Sequence, residues 1–422
     1  MSEHQPGPEQ AEGPRLSRRL GLGDAVVLGM GAMVGAGIFA AVGPAAAAAG
    51  SGLLIGLGLA AIVAYANATS SAQLAAVYPQ AGGTYVYGRE TLGPFWGYLA
   101  GWGFVVGKTA SLTAMALTVG AYALPGWERQ VAVAAIAAMA GVNYLGVRKT
   151  AGLTRLIVAV VLVALALVVA ASLTSPSATL ANLGGLTDGG ARGVLEAAGL
   201  LFFAFAGYAR VATLGEEVID PSRTIPRAIP LALGATLTVY AVVLVAALMA
   251  VGPATLASSS APLAAAAEAG LSWAAPLVRV GGTVAALGVL LSLLAGVSRT
   301  GFAMARNREL PAWLAAVHPV HGTPHRAEVA VALVVMAVVT VADLRDVIGF
   351  SSFTVLTYYA IANVAAMTQP GSERRWPRSF QILGLTGCVV LAGFLPLASV
   401  LAGAAMLALG AVVWLIGHRA RH

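Results

Sequence analysis

Gly29 to Ala40 reads GMGAMVGAGIFA and Phe202 to Ala209 reads FFAFAGYA, and each lies inside a long apolar run. A helix in lipid satisfies its own backbone, whereas a break at mid-depth leaves N–H and C=O groups that need partners in protein, water or ligand. Gly35, Ala36 and Gly37 allow the first segment to unwind and a ligand to approach the backbone closely. The half-helix that resumes after Gly37 presents unpaired N–H groups and a positive dipole end, which suits a carboxylate. In the second segment Phe203, Ala204, Phe205, Ala206 and Gly207 offer carbonyl oxygens, which suit an ammonium. Amides facing carbonyls predict a site for a zwitterion, such as a free amino acid. The competing reading is close helix packing by small residues, but breaks at matched places in two halves of a chain are the mark of a transport site.

The rest of the chain supplies the membrane. Its 422 residues are 59% hydrophobic and 10% charged, where a soluble domain carries about 25% charge. The surplus apolar surface requires lipid. At about 20 residues per span, the apolar runs predict an all-α polytopic protein of about twelve transmembrane helices. The expected spans are Gly23 to Ala49, Leu53 to Val77, Phe95 to Leu124, Val131 to Tyr144, Leu156 to Leu173, Gly193 to Val218, Ala228 to Val251, Trp273 to Ala303, Ala327 to Val341, Val347 to Met367, Phe380 to Leu397 and Leu401 to Ile416. A broken helix opens each set of five, and an odd number per set makes the second set enter from the opposite side, as an inverted repeat. The expected organisation is a tail over 1–20, a first repeat over 21–175, a second over 190–368 and two additional spans within 379–418.

The net charge of +7 reports topology, not a nucleic-acid partner. With the N-terminus inside, Arg18, Arg19, Arg89, Arg148, Lys149, Arg223, Arg227, Arg306, Arg308, Arg374, Arg375 and Arg419 fall on one side, with Arg129, Arg192, Arg279 and Arg345 opposite. This positive-inside asymmetry predicts an even span count with both termini cytoplasmic, and the expected location is a bacterial-type plasma membrane. Residues 1–20 are polar and lack a cleavable signal, so the first helix is expected to direct insertion. The single cysteine, Cys388, excludes a disulfide framework or a cysteine metal site and is expected to face lipid or be packed. His318, His321 and His325 are spaced among prolines as in a solvated loop, and no cofactor is expected. A nucleotide loop around Lys108 is excluded, because Trp102 stands where its first glycine is required.

Three stretches carry a family resemblance: GAGIF at Gly35 to Phe39, PQAGGTYVYGRETLG at Pro79 to Gly93, and FFAFAGYARVATLGEEVIDPSRTIPRAI at Phe202 to Ile229. Over Leu20 to about Arg326 the chain resembles an amino acid permease of the amino acid/polyamine/organocation superfamily. The resemblance implies two inverted five-helix repeats with broken first and sixth helices, two further helices, and secondary active transport by alternating access. It places the carboxylate-binding turn on Gly35, Ala36 and Gly37, and the amine near the carbonyls of Met33, Phe203, Ala204 and Ala206. Phe203 matches an aromatic that closes over substrate in relatives. The acidic residue that relatives carry after the unwound stretch is replaced by Ala209, and the fifth-helix lysine that some relatives use in place of sodium aligns with Val161.

Lys108, deep in an apolar span, is a functional candidate by default. In relatives its position lines the pocket around the substrate side chain, which leaves two roles: bias against cationic substrates, or proton exchange. Arg210 is a gating candidate, against a structural ion pair. Glu216, Glu217 and Asp220 read as a cytoplasmic helix end. Tyr85, Tyr87 and Arg89 read as a gate or scaffold at the cytoplasmic mouth, or as a plain structural turn. Coupling stays open between a proton route through Lys108, sodium held near the first helix with Ser292, and exchange without an ion. The expected function is transport of neutral amino acids by a symporter or exchanger; a polyamine or other organic-cation transporter is the alternative, and a membrane-embedded enzyme lacks an intramembrane catalytic set.

Overall fold

The computed structural model describes residues 20–35, 37–78, 82–146, 151–208 and 218–419. Among them every regular element is helical except one parallel bridge between Leu20 and Val218, which joins the chain just before the first helix to the chain leaving the second broken segment. The first apolar run is two helices, α1 (Leu22–Met33) and α2 (Gly37–Ala49), and a 3-10 turn over Gly50–Gly52 leads into α3 (Leu53–Val77). A short helix α4 (Thr84–Leu92) precedes the long α5 (Pro94–Ala123), followed by α6 (Glu128–Tyr144) and α7 (Ala151–Leu173). The second broken run is α8 (Gly190–Phe205), which tightens into a 3-10 turn over Ala206–Tyr208. Then come α9 (Pro221–Ser258), α10 (Pro262–Glu268), α11 (Ala274–Arg306), α12 (His325–Val339), α13 (Leu344–Met367), α14 (Arg378–Phe394) and α15 (Leu397–Arg419).

Eight helical stretches among the described residues are long and apolar enough to cross a membrane, and α1 and α14 are shorter apolar helices. The chain is therefore an all-α polytopic membrane bundle with interrupted helices. The expected short fourth and ninth spans are helices of 17 and 15 residues whose first turns, at Glu128 and His325, are more polar than a hydropathy reading admits. At its start α13 is capped by Asp343, whose carboxylate accepts from the Arg345 amide at 2.8 Å.

The centre of the bundle is α5, packed along α11 on one side and α13 on the other, while α2 and α3 pack on α8, and α1 packs on α9. A buried polar ladder ties α3 to α13 and α14: Ser70 donates to Asn363 Oδ1 at 2.6 Å, and Asn363 donates to Asn67 Oδ1 at 2.7 Å. Such bonds between helices hold a bundle together in lipid, where apolar burial gives no preference for protein over tails. Cys388 joins the ladder, its thiol 3.4 Å from Asn67 Oδ1, so it is packed and does not face lipid. On α15, by contrast, Leu401, Leu409 and Ile416 are exposed.

Three of the four cations expected on one side are bonded to groups on neighbouring elements. Arg129 donates to the Thr340 carbonyl just past α12, Arg279 donates to the Ala121 carbonyl near the end of α5 at 3.2 Å, and Arg345 pairs with Glu196. The first two bonds set a positive charge at the carbonyl end of a helix, a favourable placement.

Candidate functional site

The breaks interlock. A Cβ built on Gly37, the first residue of α2, would lie 2.7 Å from the Cα of Ala204 on α8, and one built on Gly207 would run into the Ala32 carbonyl and stand 2.8 Å from the Met33 amide. Each glycine thus admits the backbone of the opposite break, so close packing and unwinding are two aspects of one arrangement. Gly35 is pressed in the same way against the Val289 side chain of α11. Ala36 lies outside the described residues.

Interlocking gathers carbonyls. Tyr240, fully buried on α9, donates its hydroxyl to the Met33 carbonyl at 2.5 Å and lies 3.1 Å from the Ala204 carbonyl, so one side chain joins the ends of both half-helices. On α13 the Tyr359 hydroxyl reaches the Ala206 carbonyl at 3.4 Å, and its ring stacks on Tyr208 with centroids 5.0 Å apart. The Phe203 carbonyl accepts from the Ala206 amide inside the tightened turn, while those of Met33, Ala204 and Ala206 accept from tyrosine hydroxyls. The Phe203 side chain is half-buried, whereas Phe202 and Phe205 are fully buried.

A phenol has one proton to give, and each carbonyl has two lone pairs. The cluster therefore keeps acceptor capacity for further N–H donors in surroundings dry enough to strengthen such bonds. Sequence reading missed Tyr240 and Tyr359: the only signal is a phenol hydroxyl within an apolar run, and nothing in their spacing connects them to the breaks.

Lys108 lies on the length of α5 that faces α13. One residue before it, Gly107 is in tight contact with Thr354; one turn later Ser111 Oγ is 2.7 Å from Ser351 Oγ; one turn earlier the Phe104 ring is 5.5 Å from that of Tyr358. Lys108 makes no hydrogen bond or ion pair with a described residue. Arg210, Ala209, Glu216 and Glu217 lie outside the described residues. Ser292 donates to the Gly288 carbonyl of its own helix at 2.9 Å. Val161 lines a small cavity with Gly31, Val34, Gly35, Val158 and Val289, beside the first break. His318, His321 and His325 cluster edge-on or tilted around Tyr144, His318 lying 4.7 Å and 5.3 Å from the other two rings, and no group of His, Cys, Asp or Glu among the described residues is placed to hold a metal.

A polytopic bundle whose two interrupted helices meet backbone to backbone is the form of a solute permease. The amino acid permease family matches residues 20–416, past the Arg326 limit of the resembling stretches, and the chain belongs to that family. It is 61% identical over 411 residues to an uncharacterized transporter of Mycobacterium tuberculosis (strain ATCC 25618 / H37Rv), covering 96% of this chain and 93% of the relative. A branched-chain amino acid permease of Bacillus subtilis (strain 168) is 27% identical over 397 residues, covering 88% and 84%. The cationic amino acid transporter 4 of Homo sapiens is 28% identical over 374 residues, covering 82% of this chain and 59% of that protein. Membership makes the chain a permease and not an enzyme.

Proposed function

We propose that this protein is a secondary transporter that carries neutral amino acids across the bacterial plasma membrane by alternating access. In this reading its twelve spans form two inverted five-helix repeats, over 21–175 and 190–368, followed by two helices within 379–418, with both termini cytoplasmic. The observation that carries the reading is the convergence of the Met33 and Ala204 carbonyls on one hydroxyl, that of Tyr240. Acceptors so gathered suit a substrate ammonium, and the start of α2 at Gly37 suits its carboxylate. Lys108, which pairs with no carboxylate among the described residues, opposes a second positive charge, which favours neutral substrates and agrees with the branched-chain relative. Coupling is to a proton or by exchange, since the apolar side chains beside the first break offer a sodium ion few oxygens.

A carrier of organic cations is the second reading, favoured by the likeness to a cationic amino acid transporter. Uptake of labelled leucine into liposomes holding the purified protein separates the two. Leucine uptake inhibited by neutral amino acids but not by putrescine or lysine supports the first reading; uptake of labelled putrescine with no uptake of leucine supports the second.

A further inference from the structure

The short helix α4 has glycines at both ends, packs on α5 through Gly88 and Gly97, and carries one charged cluster. Gly82 and Gly83 before it have φ of 136° and 57°, and Gly93 after it has φ of 103°, conformations that glycine alone adopts readily. Between these glycines Arg89 pairs with Glu309, a residue just past the end of α11 whose side chain is 4% exposed. Tyr85 donates to the other Glu309 oxygen at 2.8 Å and accepts from Asn307 at 2.6 Å, and the Arg89 guanidinium lies 5.2 Å from the Tyr85 ring centre. Burial pushes the Tyr85 hydroxyl up to about 12, so it remains a donor at neutral pH. At the start of α4 the Thr84 amide donates to the Tyr358 hydroxyl at 2.8 Å.

The end of α11 is bent to serve this contact. Arg308 has φ of 57°, a left-handed conformation usually given to glycine at this position. Its amide and that of Glu309 turn back to the carbonyls of Ala305 and Met304, at 3.0 and 2.9 Å. A non-glycine residue keeps such a conformation where its surroundings over-determine it, and here the bend delivers the Glu309 carboxylate to Arg89 and Tyr85. Under the cluster, Met304 is fully buried against Tyr85 and Tyr98.

We propose that Arg89, Tyr85 and Glu309 form a latch that closes the face of the protein carrying α4, and that releasing it swings α4 on its glycine hinges and uncovers Met304. Its meaning in transport rests on the alternating-access reading above, because the latch joins an element of the first proposed repeat to one of the second. Removing Arg89 takes a cationic partner from the buried Glu309 carboxylate, and removing Glu309 takes an anionic partner from the half-buried Arg89, so either change weakens the closed arrangement.

The test uses the full-length protein with Cys388→Ala and a reporter Met304→Cys, in vesicles of both orientations, and measures labelling by a membrane-impermeant maleimide. Size-exclusion chromatography selects variants that remain monodisperse. Glu309→Gln and Arg89→Gln are each expected to raise the labelling rate by about tenfold or more from the α4 face alone, and the exchange R89E/E309R to return it to within about threefold of the parent. Unchanged labelling in a folded single variant overturns the latch, as does an equal rise from both faces. The readout involves no substrate, so absence of amino acid uptake contradicts the proposed function and leaves the latch standing.

Discussion

Gly37 and Ala204, 167 positions apart in the chain, meet backbone to backbone, with no room between them for a methyl group. The contact sets how closely the carbonyl of Met33 approaches that of Ala204, and so whether Tyr240 reaches both. The geometry of the site therefore depends on a residue that contributes no side chain.

Gly37→Ala is expected to lower stability by about 1–3 kcal/mol through overpacking and to reduce uptake by about tenfold or more, while Gly37→Leu abolishes uptake without preventing insertion. Gly296→Ala, where an added Cβ meets nothing within 4 Å, is the matched control. Thermal unfolding in detergent and uptake in liposomes read the two effects. Uptake at the parent rate in Gly37→Leu contradicts the site assignment.

Tyr240→Phe keeps the ring against Phe205 and removes the hydroxyl that joins the two half-helices. A hydrogen bond in this setting is worth about 0.5–1.5 kcal/mol, and an orphaned carbonyl adds to the loss. The variant is expected to unfold at a lower temperature, and a saturating substrate to raise that temperature by more than in the parent, because its ammonium then supplies the missing donor. Equal ligand-induced shifts in the two proteins would place the ammonium elsewhere.

Much of this arrangement was legible in the chain. The two glycine breaks, the helical bundle and the family follow from hydrophobic runs and three motifs, because a lipid environment leaves the backbone few alternatives. What the chain did not disclose is what fills the breaks. Tyr240 and Tyr359 are ordinary members of apolar helices until folding brings α9 and α13 against the half-helix ends. The sequence marks where a helix breaks, not that its last turn tightens to a 3-10 form in which the Phe203 carbonyl accepts from the Ala206 amide. Glu309 was equally silent, since its partner Arg89 lies 220 positions away.

Lys108→Met is expected to leave stability unchanged or raise it, because the variant removes a charge that makes no ion pair with a described residue. It is also expected to admit cationic substrates. Inhibition of leucine uptake by lysine or ornithine, measured as an inhibition constant, should strengthen by about tenfold, a change of about 1.4 kcal/mol. Continued exclusion of both cations by a folded Lys108→Met protein assigns the selection to other residues.

Replacing sodium by choline on both sides of the membrane is expected to change leucine uptake by less than about twofold. Hard cations require several oxygen ligands, and beside the first break the side chains include those of Val34, Val158, Val161 and Val289. A strict sodium requirement would locate a cation site away from this cavity.

The central claim is that backbone groups at the two breaks hold both charged ends of a zwitterion, and equilibrium binding to the purified protein tests it most directly. Leucine is compared with 4-methylpentanoate, which lacks the amine, and with 3-methylbutylamine, which lacks the carboxylate. The account predicts that leucine binds and that each single-ended analogue binds at least about a hundredfold more weakly, a loss of about 2.7 kcal/mol or more. Binding of either analogue as tightly as leucine would contradict it.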